Sequence, residues 1–116
     1  MTSNEKTSLI CKILSDRKAV DIVYIAVEEK TSLCDYFVIA GGRSKTQVKA
    51  LAEHLEEKLK KEYEIIPRRT EGVQGGRWAV LDYGDVIVHL FGDTERDFYR
   101  LERLWEDGEN LTRYED

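Results

Sequence analysis

The residues with the most chemical potential stand close together in WAVLDYGDVIVHLF, residues 78–91: Asp82 and Asp85 flank Tyr83-Gly84, and His89 follows four positions later. Carboxylates beside an imidazole can hold a metal or exchange a proton. A metal centre needs three or four convergent ligands, however, and local spacing supplies only His89 and Asp82 on one small face. The other histidine, His54, falls beside the apolar stripe of a helix. No serine or cysteine can be matched to a base by its position. Cys11 and Cys34 lack CxxC spacing and read as reduced, mostly buried thiols. The expectation is therefore no catalytic residue, no metal and no cofactor, with His89 paired structurally to Asp82.

GGRS, residues 41–44, raises a sharper enzymatic reading. A strand that ends in two glycines, followed by a serine opening a helix, is a local shape that holds phosphates, because free N–H groups at the helix start point at the anion. It resembles the glycine-serine motif of nucleotidyltransferases, in which two carboxylates alternating on the next strand hold magnesium. Here the next strand reads Ile65-Ile66-Pro67 without an acidic pair, and Asp82 and Asp85 lie at a turn. Gly41 and Gly42 read first as a strand-to-helix bend. A nucleotide-binding or nucleotidyltransferase domain using GGRS is the alternative.

The elements that would position these residues follow from periodicity. Asp82-Tyr83-Gly84-Asp85 fits a two-residue hairpin loop, its register open by one step. Because side chains alternate, Trp78, Val80 and Asp82 share a face with Ile87, His89 and Phe91 in either register. Ala79, Leu81, Val86, Val88 and Leu90 form the aliphatic face that belongs in the core. The first face, with its aromatics, histidine and carboxylate, reads as a partly solvated contact surface.

Leu9, Ile10, Ile13 and Leu14 predict a helix over 5–17, and DIVYIAVE (21–28) a central strand covered on both faces. DYFVIAGG (35–42) is a second strand. Ser44 with Gln47 three residues on starts a helix over 45–62, whose apolar side is Val48, Leu51, Ala52, Leu55 and Leu59. A short strand through Ile65 and Ile66 ends near Pro67, and 68–77 is a polar loop. A final helix starts at Thr94, with Asp97 at the capping-box position and Phe98, Leu101, Leu104 and Trp105 as its apolar side. The order α-β-β-α-β-β-β-α predicts a mixed sheet of about five strands flanked by helices. One domain spans 1–116, with its core at about 5–106 and a flexible tail over 107–116.

At 116 residues there is room for one core and little more. The net charge of −5 gives no chain-wide pull toward nucleic acid or anionic lipid and favours a basic partner. The basic clusters Arg68, Arg69, Arg77 and Arg43, Lys45, Lys49 allow at most a minor RNA phosphate contact. MTSNEKTSLI lacks the basic and apolar regions of a signal peptide, and no stretch approaches a membrane span, so a cytoplasmic protein is expected.

DYFVIAGGRS, a charged helix, EG, WAVLDYGDVIVHLF and FYRLERLW, in that order, resemble the ribosomal silencing factor family, also called Iojap or RsfS. The likeness covers about residues 5–106. It implies a nucleotidyltransferase-like α/β fold without transferase activity, agreeing with the missing carboxylate pair. It also implies binding to the fourteenth protein of the large ribosomal subunit, a block on subunit joining that represses translation, and a homodimer when free. Trp78, Asp82, Tyr83, Gly84, Asp85 and His89 match the family's WxxxDxGDxxxH pattern. Phe98, Tyr99, Leu101, Glu102, Leu104 and Trp105 match FYxLExLW. Turn and packing needs claim Gly84, Phe98, Leu101 and one of Leu104 or Trp105. Partner contact is expected from Trp78, Asp82, His89, Tyr99, Glu102 and Trp105: aromatics supply buried area, and acids complement a basic partner.

Overall fold

A computed structural model describes residues 1–92, 96 and 100–115. Its elements are α1 (Ser3–Asp16), β1 (Val20–Ala26), β2 (Tyr36–Gly42), α2 (Lys45–Tyr63), β3 (Arg69–Glu71), β4 (Trp78–Asp82), β5 (Val86–Gly92), α3 (Leu101–Trp105) and β6 (Leu111–Arg113). Among the described residues the strands form one mixed sheet in the order β3-β4-β5-β2-β1-β6. Only β2 and β5 pair in parallel; the other ladders are antiparallel.

The sheet has two unlike sides. Ala79, Leu81, Val86, Val88 and Leu90 are fully buried, as their alternation predicts, with Ile10, Ile13 and Leu14 of α1 and Val48, Leu51, Leu55 and Leu59 of α2 over them. The opposite side gathers Val23, Ile25, Phe37, Ile39 and Phe91. Leu101 and Trp105 of α3 and Leu111 of β6 pack there, and Leu104 points outward. That settles which of Leu104 and Trp105 packs the helix. Phe98, Asp97 and the helix start at Thr94 lie outside the described residues.

Local chemistry explains where the predicted elements move. Ile65-Ile66 forms no strand. Glu64 turns left-handed (φ 57°), and the Ile65 N–H closes back on the Leu59 carbonyl at 3.0 Å, so Ile65 caps α2 and packs on the helix-side core. The third strand falls instead in the expected loop, as Arg69–Glu71 pairs with β4. The tail is likewise not loose, since Leu111–Arg113 pairs with β1 and makes a sixth strand. With β6 outside it, β1 is second from the edge rather than central; it still buries Ile22 on the helix side and Val23 and Ile25 on the other. At the start of α2 the Ser44 Oγ accepts the Gln47 N–H at 3.0 Å, but the Gln47 amide oxygen receives the Arg43 N–H, so the cap closes one residue early.

Candidate functional site

The hairpin register is resolved: Trp78 faces Phe91, Val80 faces His89, and Asp82 faces Ile87, leaving Gly84-Asp85 as a two-residue loop. Gly84 has φ +90°, a conformation only glycine adopts without strain, and its N–H donates to Asp82 Oδ1 at 2.8 Å. Lys6 Nζ of α1 lies 2.7 Å from Asp85 Oδ1, tying the loop to the first helix. Both aspartates therefore hold the turn. At the other end of β4, Gly72 has φ +72°, and a Cβ there would collide with the Trp78 carbonyl. This close approach is the physical reason for the glycine of the Glu71-Gly72 pair, and it seats the backbone that carries Trp78.

Five rings form a continuous layer across β4, β5, β2 and α3. Trp78 stacks on Phe91 with centroids 5.0 Å apart, and His89 lies 5.2 Å from Phe37 edge to face. Phe37 meets Trp105 at 5.1 Å with an interplanar angle of 86°. Trp78 Nε1 donates to His89 Nδ1 at 3.1 Å, so the partner of His89 is Trp78 and not Asp82. Asp82 could not serve, because its carboxylate is turned to Gly84 and approaches Arg69 Nε at 3.9 Å. His89 is only 8% exposed, and burial lowers its pKa to about 4. It is a neutral ring with the proton on Nε2, an atom that is buried and has no hydrogen-bond partner among the described residues.

Trp78, Asp82, His89 and Trp105 are thus brought to one side of the sheet. Trp78, Asp82 and Trp105 remain partly exposed, whereas His89 lies beneath Trp78. Glu102 sits on α3 and accepts from Arg96 at 3.3 and 3.4 Å. Tyr99 lies outside the described residues. α3 covers only part of this side, and over β4 and β5 the apolar Val80 and Ile87 are left half-buried. Leu104 is 74% exposed. These three were not among the expected contacts, although the hairpin alternation already put Val80 and Ile87 on this face. Among the described residues no group of three histidine, cysteine, aspartate or glutamate side chains could hold a metal ion. Both cysteines are buried, with thiol pKa values raised to about 12 for Cys11 and about 11 for Cys34, in each case chiefly by desolvation.

The sequence matches, over residues 1–116, the family described as "Ribosomal silencing factor during starvation". The chain belongs to the ribosomal silencing factor family. It is 41% identical over 97 residues to the ribosomal silencing factor RsfS of Zymomonas mobilis, covering 84% of this chain and 72% of that one. A crystal structure of a Chromobacterium violaceum protein superposes with a TM-score of 0.86 at 35% identity, covering 95% of this chain and 92% of that one. The mouse "Mitochondrial assembly of ribosomal large subunit protein 1" is 30% identical, over 84% of this chain and 43% of its own length. The family's members are ribosome-associated regulators of translation, and the mixed sheet flanked by helices is a fold they share. No described helix is long and apolar enough to cross a membrane.

Proposed function

We propose that this protein binds the large ribosomal subunit through the fourteenth protein of its joining face and so excludes the small subunit, repressing translation without catalysis. The observation that supports this reading is the half-open side of the sheet, where Trp78, Val80 and Ile87 lie partly exposed beside α3, with Asp82 at one margin. An apolar centre with a carboxylate at its margin suits a basic ribosomal protein. Trp78, Asp82, Glu102 and Trp105, with Tyr99 and the exposed Leu104, supply the contacts, and His89 acts from below by fixing the Trp78 indole. The mechanism is steric, since a bound domain occupies the surface the small subunit needs. The reading carries a cytoplasmic location and a homodimer in the free state, in which a second copy covers the open face.

Sedimentation tests it. The purified protein should travel with isolated large subunits and lower the yield of joined ribosomes from separated subunits, whereas full joining at saturating protein overturns the reading. Trp78→Ala should weaken that co-sedimentation about tenfold or more while circular dichroism stays unchanged.

A further inference from the structure

At the end of the sheet where β2 and β5 finish, beyond the aromatic layer, lies a cavity of about 480 Å³. Gly41 and Gly92 line it from the sheet, and Arg96, Arg100, Arg103 and Arg113 line it from α3, β6 and the segment before α3. Among the described residues the acids on its wall are Asp21 and Glu102. Among the described residues, four guanidinium groups thus face two carboxylates in one concavity of a chain whose net charge is −5. Glu102 is engaged with Arg96, whose Nη1 also donates to the Val20 carbonyl at 3.1 Å, so this guanidinium is held in place. Arg103 and Arg113 are exposed, and neither makes an ion pair among the described residues. The rim at β1 is opened by a bulge. Three steps along β1, from Val20 to Val23, oppose two along β2, and Asp21 is left at φ 48° on the outside.

We propose that this cavity is a binding site for a phosphate group. Guanidinium forks match phosphate oxygens bidentately, and the carboxyl ends of parallel strands are where α/β sheets receive ligands. Gly41 presents no side chain to the cavity, and a Cβ added there would make only ordinary contacts, at 3.4 Å from the Val20 carbonyl oxygen and 3.7 Å from Arg96 Nη1. The GGRS serine and the start of α2 are not needed; the arginines supply the charge. The phosphate can belong to a free nucleotide or to an RNA backbone, and the volume lies in the range of small-molecule sites.

The test uses the purified full chain, without ribosomes, so its outcome is independent of subunit binding. Inorganic pyrophosphate, adenosine diphosphate and a short single-stranded RNA are titrated separately while the Gly41 and Gly92 amide resonances are followed by NMR. Saturable shifts are expected, with affinity reduced about tenfold in the Arg103→Ala, Arg113→Ala double variant, whose altered side chains are both on the surface. If RNA is the source, it binds more tightly than the diphosphate, and the slope of log affinity against log salt falls by about 1.4 in the double variant. If a nucleotide is the source, adenosine diphosphate binds at least as tightly as RNA. Absence of shifts at both glycines with all three probes at about millimolar concentration, or unchanged affinity in the double variant, overturns the proposal.

Discussion

His89 couples the aromatic layer to pH. Its folded-state pKa of about 4 lies below the ordinary 6.5, so between these values the unfolded chain binds more protons than the folded one. Stability is therefore full above pH 6.5 and is lost as pH falls toward 4, by about 3 kcal/mol. His54, also lowered by burial and by Arg17, pulls the same way. Urea unfolding at pH 7 and pH 4.5 should show this loss, and His89→Gln should remove most of it; an equal pH dependence in the variant counts against a buried neutral imidazole. The face on which His89 lies is legible from alternation alone, because period two holds in either register. Its partner is not, since the choice between Asp82 and Trp78 depends on Gly84 having already claimed the Asp82 carboxylate.

Among the elements, α2 and the β4-β5 hairpin are legible because their signals are local: an apolar stripe with a serine cap, and alternation about a glycine turn. β3 and β6 are not. Arg-Thr-Glu and Leu-Thr-Arg carry little strand preference and become strands only because β4 and β1 offer unpaired edges. Ile65-Ile66 misleads in the reverse direction, as Ile65 is apolar in order to close a helix. One side chain joins the backbone ladder in holding β6 to β1. Asn110 Nδ2 donates to the carbonyls of Ala26 and Trp105, both at 2.9 Å, while its Oδ1 accepts the Asp107 N–H at 2.8 Å. Asn110→Ala leaves these partly buried groups unsatisfied and should cost about 1–3 kcal/mol in chemical denaturation, with faster amide exchange in β1. An unchanged unfolding midpoint would mean that the β1–β6 ladder holds without it.

For the molecule as a whole, one side of the sheet is sealed by two helices and the other is half covered, so exposed apolar residues differ in consequence according to where they stand. Leu104 is 74% exposed beside the aromatic layer, and Ile66 is 67% exposed in the segment after α2. Leu104→Asp should weaken large-subunit binding about tenfold, whereas Ile66→Asp should leave it within about twofold; equal effects would place the contact elsewhere. The arginine-lined cavity was invisible in the sequence for a related reason. Arg96, Arg100, Arg103 and Arg113 are interleaved with Glu102, Glu106 and Asp107, and only the folding of β6 onto β1 brings Arg113 to the others. The aromatic layer has an optical consequence as well. The chain has two tryptophans, and both Trp78 and Trp105 stand in that layer, one bonded to His89 and the other against Phe37. Every photon of tryptophan emission therefore originates at the face proposed to meet the ribosome, making the unlabelled protein its own fluorescent reporter of docking, while events on the helix-covered side pass in the dark.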